Sequence, residues 1–139
     1  MFFSSDGYYR NRHSCFLLQY HLVLVTKFRH PVIVGDLEAY LLEYTKEYFN
    51  KQGLVIQEIN ADKDHIHILF DAPPQINLAS FINSFKTASS RVVRRRFTDN
   101  LAPFYWKPYF WSLSYFIAGV SDRGTEAVKQ YIQRQKNPH

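Results

Sequence analysis

Cysteine occurs once, at position 15, so no disulfide can form within the chain. The small secreted scaffolds that depend on disulfides are excluded, and a reducing compartment is the natural setting. Long apolar runs are missing too. No stretch approaches the roughly 20 residues that cross a bilayer. The polar and aromatic start, Met1 to His13, has no apolar segment of the kind found in a signal peptide. Acidic residues are outnumbered, 12 Asp and Glu against 17 Lys and Arg, for a formal net charge of +5 and an isoelectric point of about 9.4. That balance suits a polyanionic partner, nucleic acid or an anionic surface. No internal repeat or low-complexity tract is present. These absences together lead us to expect a cytoplasmic protein with no membrane association.

What is present is enough for one folded domain. Of 139 residues, 46% are apolar and 21% charged, a composition that builds a core rather than a disordered chain. Aromatics are abundant, with twelve Phe and ten Tyr; they can fill a core or stack on bases. Residues 1–15 read as an N-terminal arm and 16–139 as a single domain. From Phe16 to Lys27, β-branched and aromatic residues predict a long first strand. Asp36 is expected to cap a helix that runs to about Gln52 and stops at Gly53, with Leu37, Tyr40, Leu41, Tyr44 and Tyr48 on its inner face. Strands over 54–61 and 64–71 form a hairpin. Asn77 caps a second helix to about Arg95, its inward stripe formed by Leu78, Phe81, Ile82, Phe85, Ser89 and Val92. Residues 109–120 predict a last strand, and Gly124 and Thr125 open a closing helix to about Lys136. The order β-α-β-β-α-β-α implies a two-layer α+β fold, ferredoxin-like in topology, with a mostly antiparallel sheet of four to five strands.

Chemistry concentrates in "DHIHILF", residues 64–70. Side chains alternate across a strand, so His65, His67, Leu69 and Asp71 share one face, and Ile66, Ile68 and Phe70 the other. The apolar face belongs under the helices. The two imidazoles, about 7 Å apart along the strand, can converge on one cation; the plain alternative is two half-buried histidines bonded to their neighbours. Two imidazoles rarely suffice. If the closing helix covers their face, Gln135 can supply a carboxamide oxygen, and Tyr131, one turn away on the same side, can point its hydroxyl at whatever the cation holds. On spacing alone, an amphipathic helix with Tyr131 in an ordinary core contact is the favoured reading. Basic side chains that suit phosphate are Lys86, Arg91, Arg94 and Arg95 on the second helix and Lys27 and Arg29 after the first strand; each is also compatible with a solvated surface.

Several segments in register resemble one family. "YHLV" (20–23) and "TKFRHPVI" (26–33) resemble its first strand and basic turn, "DKDHIHIL" (62–69) its His-hydrophobe-His strand, and "FINSFKTASSRVVRRRF" (81–97) its second helix. "FWSLSYFIAGV" (110–120) resembles its Trp-x-x-Ser-Tyr-Phe strand, and "VKQYIQRQ" (128–135) the helix that carries its nucleophile. The family is that of the single-tyrosine HUH transposases of small insertion sequences with hairpin ends, the TnpA-type enzymes. Phe28 stands where a Tyr is usual and Thr87 where a Gly is common. The resemblance implies an HUH fold and metal-dependent cutting and rejoining of single-stranded DNA at hairpin ends. It further implies Tyr131 as the nucleophile that forms a 5′-phosphotyrosine, His65, His67 and Gln135 as ligands of Mg²⁺ or Mn²⁺, and a homodimer acting at the nucleoid of a prokaryotic cell. Two other readings remain: a domesticated palindrome-processing recombinase or rolling-circle initiator with the same chemistry, and a non-catalytic nucleic-acid-binding module.

Overall fold

The structure, a computed structural model, describes residues 2–3, 7–10, 15–120 and 131–134. A four-stranded antiparallel sheet contains β4 (Gln19–Val25), β5 (Val55–Asp62), β6 (His65–Asp71) and β7 (Phe116–Gly119), in the spatial order β5-β6-β4-β7. Helices α1 (Gly35–Lys51) and α2 (Leu78–Arg96) cover one face, and a short α3 (Thr98–Leu101) follows. The order β4-α1-β5-β6-α2-β7 and the central placement of β4 and β6 give the ferredoxin-like α+β arrangement. Among the described residues, no helix is long and apolar enough to cross a membrane.

Alternation along β6 decides how the sheet is used. Ile66, Ile68 and Phe70 are fully buried. They meet Leu22 and Leu24 of β4 and the inner faces of α1 and α2, where Leu37, Leu41, Phe49, Phe81, Ile82, Phe85 and Val93 are buried. Each such large side chain contributes about 1.5–3 kcal/mol by leaving water. The tyrosines of α1 flank this core rather than filling it. Tyr40, Tyr44 and Tyr48 are half-buried and stack in series along the helix. Asn77 caps α2 as expected, its Oδ1 accepting from the Ser80 amide at 3.0 Å. Asp36 does not cap α1: the N-cap is Val34, with no side-chain bond, and Asp36 lies in the first turn. There its carboxylate still faces the positive end of the helix. Gly53, at φ 77°, makes the left-handed turn that ends α1.

Two expected strands are shorter than the composition suggests. The first begins at Gln19, because Phe16 belongs to a separate small sheet made of β1 (Phe2–Phe3), β2 (Tyr9–Arg10) and β3 (Cys15–Phe16). Where it is described, the N-terminal arm is anchored. The buried Tyr9 hydroxyl donates to Asp71 Oδ2 at 2.5 Å, and Gln19 and Gln57 also donate to that carboxylate, at 2.8 and 2.6 Å. The last strand is split. Trp111 pairs with Thr26 as an isolated bridge, the chain then leaves the sheet, and regular pairing resumes at Phe116. The bridge is pinned from below, since the Trp111 indole donates to Ser89 Oγ at 2.9 Å. Between the two pieces Lys86 Nζ donates to the Leu113 carbonyl at 2.9 Å.

Candidate active site

The second face of the sheet is where the candidate residues meet. Register puts Val25 beside His65, Val23 beside His67 and His21 beside Leu69, while Phe116 pairs with Val23 from the other side. Directly paired residues share a face, so both histidines lie on the face that carries Val23, Val25 and Phe116. Tyr131 and Ile132, in the helical segment 131–134, pack on this same patch. The Tyr131 ring lies 5.4 Å from that of Phe116, and its hydroxyl is 3.1 Å from Ser114 Oγ. The structure therefore brings Tyr131 onto the histidine face. Gln135 lies outside the described residues.

His65 is oriented from behind. Its Nδ1 is 2.8 Å from Asp64 Oδ1, and Asp64 Oδ2 receives Arg29 Nε at 2.8 Å. Burial pushes the Asp64 carboxyl up, but the hydrogen bonds and charges of His65 and Arg29 outweigh it and hold the group below its ordinary value. Asp64 is thus a carboxylate that can only accept, so Nδ1 of His65 carries the proton and a neutral ring keeps its lone pair on Nε2. A carboxylate behind a histidine is the usual support of a metal-ligating imidazole. Asp62 pairs across the hairpin with His65, and ligand atoms of Asp62, Asp64 and His65 lie within 4.8 Å of one another. With Asp64 committed to His65 and Arg29, the His65 imidazole and the Asp62 carboxylate are the donors left. They fit a divalent cation of the Mg²⁺ or Mn²⁺ kind and bring no thiolate of a closed zinc site.

His67 has a different neighbour. Its Nε2 is 2.8 Å from Nδ1 of His21, and the two rings stack with centroids 5.0 Å apart. Burial first, and then the nearby His21, depress the His67 pKa, which favours the neutral imidazole that a cation requires. His21, Asp62, Asp64 and Ser114 were not singled out from the sequence. The alternate acids of "DKDH", Asp62 and Asp64, are a signal for two of them. His21 and Ser114 reach the site only through strand pairing and the split of the last strand.

Tyr131 is half-buried. Burial raises its phenol pKa, and the Ser114 hydrogen bond opposes the rise.

The basic residues divide into two groups. Arg91 and Arg95 are exposed on α2, and Arg94 is half-buried with Nε 3.1 Å from Ser90 Oγ. Lys86, besides holding Leu113, lies 5.7 Å from the Tyr115 ring, and burial lowers its pKa. Asn83, Lys86, Thr87, Arg94 and Leu113 line an open groove. Lys27 Nζ sits against the rings of Phe28 and Tyr109, at 5.2 and 5.0 Å. Arg29 is turned inward: besides Asp64, its Nη1 donates to the Ile132 carbonyl at 3.1 Å.

Comparison with known proteins agrees with this architecture. Residues 14–135 match the family described as "Transposase IS200 like". The chain is 30% identical over 128 residues to the ISDra2 transposase TnpA of Deinococcus radiodurans, covering 91% of this chain and 89% of that protein. It is 27% identical over 123 residues to the transposase for insertion sequence element IS200 of Salmonella typhimurium, covering 88% and 80%. A crystal structure of a Deinococcus radiodurans R1 protein described as a transposase superposes with a TM-score of 0.84 at 29% identity, over 91% of this chain and 97% of that one. A REP-associated tyrosine transposase bound to a REP hairpin shares the fold, with a TM-score of 0.52 at 11% identity over 89% and 67%. The chain belongs to the family of IS200-like transposases, enzymes that cut DNA and transfer its strands.

Proposed function

We propose that this transposase cleaves and rejoins single-stranded DNA at hairpin-bearing insertion-sequence ends, with Tyr131 as the nucleophile and His65, His67 and Gln135 as the ligands of Mg²⁺ or Mn²⁺. The observation that carries the reading is the docking of Tyr131 on the sheet face that holds both histidines. A divalent cation at those ligands would supply Lewis acidity toward a non-bridging phosphate oxygen. Asp64 keeps His65 oriented for it, and Asp62 is a further donor beside it.

The residues of the chain do the rest. Tyr131 Oη attacks phosphorus, the bond to the 3′ oxygen breaks, the 3′ oxygen leaves as a hydroxyl, and the 5′ phosphate stays on the tyrosine. One phosphodiester replaces another, so a second strand's 3′-hydroxyl can reverse the exchange without ATP. Because burial raises the phenol pKa, the proton must pass to a base such as solvent hydroxide, which also sets the pH dependence. The Ser114 hydroxyl, within hydrogen-bond reach among the described residues, eases its loss by stabilising the phenolate. Lys86 and Arg94 in the α2 groove, Arg91 and Arg95 exposed elsewhere on α2, and Lys27 beside Phe28 and Tyr109 would hold the DNA backbone. The hairpin in the REP-associated neighbour supports a folded DNA partner. We read the working unit as a homodimer, since two DNA ends are cut and exchanged.

The test is direct. A labelled single-stranded hairpin is incubated with the protein and Mg²⁺ or Mn²⁺ and then denatured. A covalent adduct that disappears in Tyr131→Phe and on chelation supports the proposal. Tight hairpin binding with no adduct under either metal would leave only a DNA-binding module.

A further inference from the structure

Arg29 touches both halves of the candidate site at once. Its Nε donates at 2.8 Å to Asp64 Oδ2, and the other oxygen of that carboxylate meets His65 Nδ1, also at 2.8 Å. Its Nη1 donates at 3.1 Å to the carbonyl of Ile132, the residue that follows Tyr131. The side chain is only 17% exposed, so this fork is committed inward rather than offered to a phosphate.

The backbone below it is unusual. Phe28 and Arg29 have φ of 58° and 54°, left-handed values that residues with a Cβ seldom adopt, still less in succession. Hydrogen bonds from Lys27 N to Phe110 O (2.8 Å), from Arg29 N to Thr26 O (2.9 Å) and from Tyr105 Oη to Lys27 O (2.7 Å) hold the turn in place. Strain kept by so many contacts is a mark of a placed side chain, and the side chain placed here is Arg29.

We propose that Arg29 is a positioning residue that couples the metal-ligand histidine to the tyrosine helix, through Asp64 on one side and the Ile132 carbonyl on the other. The inference rests on the reading of His65 as a ligand and Tyr131 as the nucleophile. Each of its two bonds orders the guanidinium for the other. A cation that fixes His65 and Asp64 therefore strengthens the docking of residues 131–134, and docking tightens the cation by the same factor. A lysine cannot replace it, because a single ammonium lacks the planar fork that serves two acceptors in fixed directions.

The experiment uses the full chain with Arg29→Gln, Arg29→Lys and Tyr131→Phe. Mn²⁺ affinity is measured by paramagnetic resonance without DNA. Amide hydrogen exchange at residues 131–134 is followed with and without Mn²⁺. Single-turnover cleavage of a hairpin oligonucleotide and its binding across a salt series complete the set. We expect Mn²⁺ to slow exchange at 131–134 in the parent chain and not in Arg29→Gln. That variant should bind Mn²⁺ about 10-fold more weakly and cleave more slowly, with DNA affinity and its salt dependence unchanged. Arg29→Lys should recover Mn²⁺ affinity through the Asp64 ion pair while cleavage stays slow. Metal-dependent protection that survives in Arg29→Gln overturns the proposal. So does a defect confined to DNA affinity with a salt slope smaller by about 0.7, the signature of one lost phosphate contact on a single strand. If Arg29→Gln fails to fold, Arg29→Lys, which keeps the charge, decides by the same exchange and cleavage readouts. An adduct insensitive to Tyr131→Phe would defeat the nucleophile assignment instead, whereas an adduct lost in Tyr131→Phe beside Arg29 variants that behave like the parent would defeat the coupling alone.

Discussion

The hydroxyl of Ser114 lies 3.1 Å from that of Tyr131, on a segment that leaves the sheet between Trp111 and Phe116. On its N-terminal side the excursion is held by α2, where the Trp111 indole donates to Ser89 and Lys86 donates to the Leu113 carbonyl. Ser114 opposes the rise in phenol pKa that burial causes. Removing it should raise that pKa further and slow cleavage about 10-fold, the worth of one hydrogen bond of about 1–1.5 kcal/mol. Below the phenol pKa the ionised fraction grows with pH, so the cleavage rate should climb as pH rises. In Ser114→Ala the same curve should be displaced toward higher pH. A rate–pH profile under single-turnover conditions checks both, and coincident profiles for the two proteins would remove Ser114 from the chemistry.

Both oxygens of Asp64 are engaged within the protein, one by His65 and one by Arg29. In Asp64→Asn the amide keeps the volume but loses the charge that fixes Nδ1–H and holds Arg29. Mn²⁺ affinity should fall about 10- to 100-fold, as is usual for the outer partner of a ligating histidine. Hairpin binding in chelator should be unchanged. Calorimetric titration of Mn²⁺ beside a DNA-binding assay in chelator separates the two. Unaltered Mn²⁺ affinity would show that the carboxylate does not serve a metal.

Much of this was legible from local pattern, because local pattern is what alternation and caps report. The period of two at 64–70 sorted Ile66, Ile68 and Phe70 into the core and His65 and His67 onto the other face. Asn77 announced α2, and Gly53 ended α1. The rest depends on contacts between distant residues. Arg29 reads as one more cation in a basic turn, and only a fold that brings residue 132 beside residue 29 makes it a tether. His21 reads as a polar interruption in a strand until register sets it two positions from Val23, the partner of His67, on the same face, where the rings stack. The composition of 109–120 is strand-like throughout. The break at 112–115 goes with contacts to Ser89 and Lys86 on α2, which no property of the segment itself discloses. Tyr9 likewise finds Asp71 across 62 positions.

The buried tyrosine hydroxyls make alkaline pH a test of the fold. Burial, aided by the Asp71 carboxylate, raises the Tyr9 pKa, and burial pushes Tyr105 up to about 12 against the opposing effect of Thr26. An unfolded tyrosine titrates near 10. A group whose pKa is higher in the folded state stabilises it fully below the unfolded value and loses that contribution as pH climbs. Stability should therefore be level toward pH 10 and decline from about 10 to 12. Tyr105→Phe should lose about 1 kcal/mol at neutral pH, since its bond to the Lys27 carbonyl is gone, and its alkaline decline should be shallower. Urea melts at pH 7 and pH 11 give the comparison. An equal decline in both proteins would assign the effect to other groups.

Opposite faces of one strand should answer mutation in opposite ways. Phe70 is fully buried, with its ring 5.2 Å from that of Phe49, 6.3 Å from Phe81 and 5.8 Å from Tyr20. Phe70→Ala opens a cavity between the sheet and both helices and should cost about 3–5 kcal/mol, lowering Tm by roughly 10–20 °C. His67, three residues away, is half-buried over the other face and bonded to His21. His67→Ala removes no core volume, so its melt should stay within about 1 kcal/mol of the parent, while adduct formation should drop by at least a factor of about 100. Thermal denaturation and the adduct assay, run on both variants, read the two faces separately. A His67→Ala protein as unstable as Phe70→Ala, or one that still forms adduct at the parent rate, would mean that the face opposite the core serves packing and not chemistry.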